Sequence, residues 1–259
     1  MENQNCPIYG TLGVVESEVT HNAKVITYSD GKQDILISNR PIFGKKGLEL
    51  REGKAPTPRP PAGRERKASV DIDRSQRRAR ARLRQLALSN QFEYFVTLTV
   101  NPSKFDSFDA KIVAKKTQKW LNNMVSRYGL SYILVSEQHK SGRWHWHGFV
   151  RGNLRMVDSN HRDKDGHIVY NWPQWAYGWS TAIALYGDYS RAVGYVCKYI
   201  GKDSARIGGR WYYSGGDLVE PQVDYVDLDW DDVAGMEGAY AFEVPGNSMM
   251  MVRDYDGEV

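Results

Sequence analysis

Residues 131–150, Ser-Tyr-Ile-Leu-Val-Ser-Glu-Gln-His-Lys-Ser-Gly-Arg-Trp-His-Trp-His-Gly-Phe-Val, predict a β-hairpin. Both ends of the stretch are rich in β-branched and aromatic residues, and Lys-Ser-Gly-Arg between them is a typical turn sequence. Side chains alternate between the two faces of a strand. His145 and His147 therefore project together, and Trp146 projects from the opposite face toward the core.

Secondary structure on both sides of this hairpin gives the fold class. A strand is predicted at Tyr94-Phe-Val-Thr-Leu-Thr-Val100, a helix at 107–128 that ends at Gly129, and a further strand at Trp179–Tyr186. Asp188 can cap a final helix that runs to about Ile200. This order predicts an α+β domain with a central antiparallel sheet and helices packed on its faces.

The rest of the chain suggests four segments. Residues 1–52 form a β-rich appendage with a hairpin around Ser29-Asp30-Gly31, and residues 53–70, with four prolines and several basic residues, form a linker. Residues 71–216 form the main domain. Residues 217–259 carry twelve acidic residues and one arginine, which predicts an acidic C-terminal tail.

Charge is distributed unevenly along the chain. The formal net charge is +4, but residues 217–259 carry −11, so the preceding 216 residues carry +15. A basic body fits a polyanionic ligand, without distinguishing DNA from RNA. Cys6 and Cys197 are too few for a disulfide framework, and no secretory signal or membrane-spanning run is evident, so we expect a cytoplasmic protein without a membrane partner.

A basic helix is predicted at Asp73–Leu86, with Asp71 or Asp73 as its cap and Asn90 as its stop. One face is apolar and the others are almost entirely arginine, which favours contacts with a nucleic-acid backbone over a merely solvated face. The candidate DNA-binding residues are Arg74, Arg77, Arg78, Arg80, Arg82, Arg84, Arg143, Arg151 and Arg155. Trp172, Trp175 and Trp179 have two possible roles, since each side chain can stack on a base or lie buried in the core.

The histidine pair suggests a metal site. Glu137 lies on the other strand of the hairpin and can face His145 and His147 across the turn. Two nitrogens and a carboxylate leave coordination positions open, which is typical of catalytic sites. The alternative is a pair of polar residues on a solvated face; a cupin-type site would need an acidic residue soon after His147. We expect His139, His161 and His167 at the surface, with His139 also a candidate to support the metal ligands.

A second motif follows in Tyr195-Val-Cys-Lys-Tyr-Ile-Gly-Lys202. In a helix, Tyr195, Lys198, Tyr199 and Lys202 lie on one face. A phenol has a pKa near 10 and is a poor nucleophile unless nearby cations favour the phenolate, and lysine charge also offsets charge that develops on a phosphate. The alternative is an amphipathic surface helix with half-buried tyrosines and solvated lysines.

Three blocks together resemble the rolling-circle replication initiators of the HUH endonuclease superfamily, particularly the two-tyrosine branch of single-stranded DNA phages and related plasmids. They are Phe95-Val-Thr-Leu-Thr99, Glu137 with Trp144-His-Trp-His-Gly-Phe149, and Tyr195 to Lys202. The resemblance covers residues 90–215. It implies a palm-like, RRM-like sheet and a site-specific endonuclease that nicks single-stranded DNA through tyrosine attack.

The resemblance also implies roles for individual residues. His145, His147 and Glu137 would hold Mg²⁺ or Mn²⁺, Tyr195 and Tyr199 would be the nucleophiles, and Lys198 and Lys202 would assist them. The partners would be single-stranded or hairpin origin DNA and a host polymerase, and also a host helicase, because Gly201-Lys202-Asp203 lacks the remainder of a P-loop. Two alternatives remain: a transposase or relaxase with the same chemistry, and a non-enzymatic RRM-like nucleic-acid-binding protein.

Overall fold

The computed structural model describes residues 20–43, 68–201 and 206–257. Contacts divide the chain into two compact units. One unit contains the described residues within 1–25, 35–59 and 224–252, and the other contains those within 26–34, 60–223 and 253–259.

The chain contains four described helices among runs of consecutive strands, which matches the expected α+β class. The strands are β1 (Thr20–Thr27), β2 (Gln33–Phe43), β3 (Tyr94–Val100), β4 (Ser131–Gln138), β5 (Trp144–Arg151), β6 (Val157–Arg162), β7 (Ile168–Asn171), β8 (Gly178–Ala184), β9 (Tyr212–Gly215), β10 (Gln222–Val226), β11 (Tyr240–Val244) and β12 (Asn247–Tyr255). The described helices are α1 (Ala68–Leu88), α2 (Ala110–Tyr128), α3 (Tyr189–Lys198) and α4 (Trp230–Ala234).

The seven-stranded sheet has the order β6-β7-β8-β3-β5-β4-β9. Its centre consists of the strands that the sequence predicted, and β3 pairs antiparallel with β5 on one side and with β8 on the other. The prediction of a central antiparallel sheet is confirmed. The sequence did not predict β6 and β7, which extend the same sheet beyond β8.

Alternation along the central strands gives the sheet two different faces. On one face the buried residues of β3, β4 and β5 pack with α2 in a tryptophan-rich core that includes Val96, Leu98, Leu134 and Trp146. On the other face Phe149, Ile133 and Val135 pack with residues of α1 and α3. We call these the α2 face and the α1/α3 face.

Local sequence explains where the helices begin and end. Asp109 caps α2 by accepting two backbone N–H bonds, and Gly129 ends it in the left-handed conformation. Asp188 caps α3 as predicted. The cap predicted for the basic helix is wrong, because α1 begins earlier, at Ala68. Positions 71 and 73 both lie inside this helix, so neither aspartate is its N-cap.

Gly148 allows the close approach of β4 and β5. A Cβ atom on this residue would lie 1.9 Å from the carbonyl oxygen of Ile133, so no other residue fits without backbone movement. The glycine directly follows His147, and it therefore fixes the strand pairing that places the histidines opposite β4.

A second sheet has the order β10-β1-β2-β12-β11. The hairpin expected around Ser29-Asp30-Gly31 is present as β1 and β2. Residues 217–259 are not a tail, since they supply β10, α4, β11 and β12. Their acidic residues are compatible with folding because they have defined places: Asp229 caps α4, and Glu243 lies on an exposed strand position. Most of the expected linker, 53–70, lies outside the described residues.

Candidate active site

Polar residues gather at one end of the α1/α3 face. Glu137, His145 and Thr99 are directly paired across β4, β5 and β3, and the next row pairs His147 with Thr97. Paired residues project from the same face of a sheet. The other end of this face is apolar and is covered by α1 and α3. Of the polar groups, His147 is buried and the others are only partly buried.

Each imidazole is held by a neighbouring hydroxyl group. His147 Nδ1 lies 3.1 Å from Thr97 Oγ1, and His145 Nδ1 lies 3.2 Å from Thr99 Oγ1. When a threonine accepts the Nδ1–H bond, the Nε2 lone pair of that imidazole is left available to a metal ion. His147 Nε2 lies 2.7 Å from a carboxylate oxygen of Glu137 and donates to it. A metal ion held by these two atoms would replace that proton.

Both histidines are held in the neutral form. Burial lowers the pKa of His147, although Glu137 opposes this shift, and burial followed by the positive charges of His147 and His139 lowers the pKa of His145. A neutral imidazole is the form that binds a metal ion. The His139 ring is 5.4 Å from that of His145, so His139 lies beside the site although it is exposed.

The donor types fit a divalent cation such as Mg²⁺ or Mn²⁺, but the three ligand atoms do not form a closed cage. The His145 and His147 rings are nearly parallel, with centroids 6.4 Å apart. Within residues 20–43, 68–201 and 206–257, the group whose ligand atoms all lie within 4.8 Å of one another is Asp163, Asp165 and His167. Glu137 and His147 are in contact already, and His145 would have to turn toward them.

The turn that contains Asp163 has an ordinary structural role. Asp163 Oδ1 accepts the backbone N–H groups of Asp165 and His167, which closes the turn between β6 and β7. The His167 ring stacks on that of Tyr186. We therefore assign these residues to the turn and not to a metal site.

The two predicted nucleophiles lie against the histidines. The Tyr199 ring stacks on the His147 ring with centroids 4.2 Å apart and an interplanar angle of 4°. The Tyr195 hydroxyl is 2.8 Å from that of Tyr199, and the Tyr195 ring contacts Phe95 edge-on. Tyr195 is half exposed, so one phenol is open to solvent while the other adjoins the imidazole pair.

The expected activation of the phenols by lysine is not found. Burial raises the pKa of Tyr199, and the Tyr195 hydrogen bond and the charge of Glu137 raise it further. Lys198 instead lines a groove beside α1. α3 ends at Lys198, so Tyr199 is its C-cap residue and not part of the helix. Lys202 lies outside the described residues, so the shared face of all four residues stays a prediction.

The candidate DNA-binding arginines differ in their surroundings. Arg74, Arg77, Arg78 and Arg155 are exposed, and Arg80 and Arg143 are partly exposed. The other three have partners in the protein. Arg82 pairs with Glu220, Arg84 pairs with Asp34 and Asp254, and Arg151 donates to the backbone carbonyls of Gln91 and Asp217.

The structure separates the three tryptophans. Trp172 and Trp175 are buried in the core of the α2 face, where both contact Trp120 edge-on. Trp179 is 61% exposed and pairs with Thr99, in the same row as His145 and Glu137. Only Trp179 of the three therefore remains a candidate for stacking on a base.

Sequence reasoning missed the two threonines as site residues. Thr97 and Thr99 were visible as a polar alternation between Val96, Leu98 and Val100, but a threonine in a strand is usually explained by β propensity. Their role is apparent only from the pairing of β3 with β5, which places each hydroxyl opposite one imidazole.

A family model matches the part of the chain that carries the candidate site. Residues 93–204 match the family model of a replication-associated protein, ORF2, and this range contains the histidine pair, Glu137, both tyrosines and the two threonines. No curated protein and no solved structure matches the chain. Among the helices in the described ranges, none has the length and apolar character needed to cross a membrane. The match to the family model supports a replication initiator of the Rep type.

Proposed function

We propose that this protein nicks single-stranded DNA at a replication origin by tyrosine attack and remains joined to the 5′ end as a phosphotyrosine. The released 3′-OH then primes rolling-circle synthesis by a host polymerase. The observation that carries the proposal is the direct stacking of Tyr199 on His147, because it puts a nucleophile and a candidate metal ligand within reach of one phosphate.

His145, His147 and Glu137 would hold the divalent cation, with Thr97 and Thr99 fixing the imidazole tautomers. When bound, Mg²⁺ or Mn²⁺ supplies Lewis-acid polarisation of a non-bridging phosphate oxygen. The neutral histidines suit this role, since a protonated imidazole would repel the cation.

The proposed reaction is a transesterification. The bond between the tyrosine oxygen and phosphorus forms, and the bond between phosphorus and O3′ breaks. The phenol releases one proton and O3′ takes one up, so the reaction needs no oxidant, reductant or energy source. Because the phosphodiester is exchanged and not hydrolysed, the intermediate can be rejoined to a 3′-OH.

Two phenols on one helix fit a process with two cleavages. One tyrosine can hold the first 5′ end while the other cuts the regenerated origin. Their hydroxyls lie 2.8 Å apart, so both can approach the same histidine pair. A transposase or relaxase would use the same chemistry, but this paired arrangement favours repeated cleavage during replication.

Origin DNA is the proposed substrate, in single-stranded or hairpin form, because the site must reach the phosphate of one strand. The exposed arginines of α1 and the exposed Trp179 are candidates for contacts with its backbone and bases. A host helicase partner is proposed to open the duplex.

The test is a nicking assay with a labelled origin oligonucleotide and Mn²⁺. We expect a fragment covalently linked to the protein, no such product with EDTA, and none with the Tyr195→Phe/Tyr199→Phe variant. Tyr189→Phe is a matched control, since Tyr189 lies on the same helix but its hydroxyl donates to the backbone of Ala87 and Asn90. Undiminished cleavage by the double variant would refute the proposal.

A second candidate is a non-enzymatic sheet-surface binder of nucleic acid, favoured by the exposed Trp179 on β8. In that case the histidines and tyrosines would have no chemical role. His145→Ala and His147→Ala variants that retained every measurable activity would support this candidate over the nickase.

A further inference from the structure

A basic groove runs between α1 and α3 and has a volume of about 490 Å³. Five of its lining residues are cationic, and no acidic residue is among those that line it. The lining residues are Arg77, Arg80, Ala81, Arg84, Gly194, Cys197, Lys198 and Arg253. We call this feature the α1–α3 groove.

The positive charge of the groove is only partly balanced by the protein. Arg84 is paired with Asp34 and Asp254. Arg77 and Lys198 are exposed, and no salt bridge to either is found within the described ranges. The Nε atom of Arg80 is buried and lacks a hydrogen-bond acceptor among the described residues. A buried guanidinium N–H without an acceptor is unfavourable. Because Arg80 lines the groove, its other guanidinium N–H groups can donate to a phosphate oxygen there.

The groove and the tyrosines occupy adjacent sectors of the same helix. At about 100° per residue, Cys197, Gly194 and Lys198 form one sector of α3, and Lys198 lies about 60° from Tyr195. The third sector, with Val193 and Val196, is buried. A single nucleic-acid strand that lies in the groove would therefore pass around only one edge of α3 to reach the phenols.

Gly194 is one of the residues that line the groove. A Cβ atom at this position would meet no atom within 4 Å. Glycine in a helix interior lowers helix stability relative to alanine, and no steric contact requires it here. A larger side chain at this position can therefore be introduced without a clash with the protein.

We propose that the α1–α3 groove binds backbone phosphates of single-stranded DNA and positions the strand whose scissile phosphate reaches Tyr195 and Tyr199. Arg77, Arg80 and Lys198 are the phosphate-binding residues. Lys198 thus acts on the DNA backbone and not on the phenols. The identity of the ligand as DNA rests on the proposed function, whereas the location of the site rests on the groove itself.

The experiment measures binding without chemistry. In the Tyr195→Phe/Tyr199→Phe protein with EDTA, fluorescence anisotropy gives Kd for a labelled single-stranded oligonucleotide over a series of salt concentrations. Arg77→Gln/Lys198→Gln should weaken binding about tenfold at low salt and flatten the plot of log Kd against log salt by about 1.4, or about 0.7 for each lost phosphate contact. The matched control is Lys111→Gln/Lys115→Gln, which removes the same charge from exposed positions of α2, on the opposite face of the sheet.

The control variant should flatten the plot of log Kd against log salt by less than about a third as much as the groove variant does, because its residues do not line the groove. Gly194→Glu, which introduces a carboxylate into open space, should weaken binding as strongly as the groove pair. The inference is overturned if the Arg77→Gln/Lys198→Gln variant binds the oligonucleotide as tightly as the parent protein, or if the groove variant and the control variant lose equal affinity and equal slope. It is also overturned if the parent protein binds no oligonucleotide, which is the result expected if the groove binds an acidic protein.

Failure of this inference can be distinguished from failure of the nickase proposal. If the protein forms the covalent adduct but its groove variants bind the oligonucleotide normally, the nickase proposal stands and the groove proposal is refuted. If the protein forms no adduct but its groove variants bind the oligonucleotide more weakly, the groove proposal stands and the nickase proposal is refuted.

Discussion

The two faces of the seven-stranded sheet use the same strands for different purposes. On β5, Trp146 is fully buried against α2, while His145 and His147 on either side of it project from the opposite face. On β3, valines and leucine face α2, while Thr97 and Thr99 face the histidines. The alternation of a strand thus lets consecutive residues serve stability and chemistry separately.

The helices that cover the two faces differ in the same way. α2 carries its lysines at exposed positions on the side away from the tryptophan core, whereas α1 and α3 leave the polar end of their face uncovered and enclose a basic groove. Substitutions in the tryptophan-rich core of the α2 face should therefore change stability, and substitutions at the polar end of the α1/α3 face should change binding or catalysis.

Trp146→Ala should give the largest effect. Its side chain is fully buried, so the truncation should lower the free energy of unfolding by about 3–5 kcal/mol. Urea denaturation followed by circular dichroism measures this change. A loss below about 1 kcal/mol would mean that the α2 face is not the main core.

His147→Ala, one residue away, should give the converse result. We expect the nicking rate with Mn²⁺ to fall by at least about 10²-fold, comparable to removal of one group that stabilises charge in a transition state. The free energy of unfolding should change by about 1 kcal/mol or less. Single-turnover nicking rates and denaturation on the same preparation test both. A nicking rate near that of the parent would remove His147 from the site.

Thr97→Val tests the support of the imidazole with almost no change in volume. Losing the hydroxyl beside His147 Nδ1 should weaken Mn²⁺ binding about 10–100-fold, as measured by isothermal titration calorimetry. Thr181→Val is the matched control, because Thr181 pairs with Thr97 on the neighbouring strand and is exposed. Equal affinities for both variants would leave the threonine without a role in metal binding.

Trp179→Ala should weaken binding of a single-stranded oligonucleotide about tenfold, since stacking on one base contributes about 1–3 kcal/mol. The effect should vary little with salt, unlike that of the arginines. Trp179→Phe should retain most of the affinity. If alanine and phenylalanine bind equally well, the exposed ring does not stack on DNA.

Lys111→Gln/Lys115→Gln should produce the smallest change. Both lysines are exposed on α2, on the far side of the sheet from the candidate active site. We expect less than about a twofold change in oligonucleotide affinity and an unaltered salt slope. A loss as large as that of the groove variants would show that DNA also contacts the α2 face.

Much of the central fold was predictable because its signals are local. The alternation in Tyr94–Val100 and Trp144–Val150, the cap at Asp188 and the stop at Gly129 each act within a few residues. The cap at Asp109 was not predicted, because the helix was expected to begin at residue 107. The same alternation correctly placed Trp146 in the core and the two histidines on the opposite face.

The remaining features depend on long-range contacts that the sequence does not show locally. Residues 217–259 look like an acidic tail in the sequence. In the structure β12 from this segment pairs with β2, which lies about 200 residues earlier in the chain, as well as with its neighbour β11. Lys198 looked like a helper of the phenols because helical spacing puts it near Tyr195, and only the neighbouring α1 shows that it lines a groove. Thr97 and Thr99 gained a role only through the register of β3 with β5.

The most direct measurement is mass spectrometry of the protein after reaction with origin oligonucleotide and Mn²⁺, followed by nuclease and protease digestion. The account predicts a nucleotide remnant joined through phosphate to Tyr195 or Tyr199, the two phenols that contact one another beside His147. A remnant on any other residue, or cleaved DNA with no adduct, would contradict it.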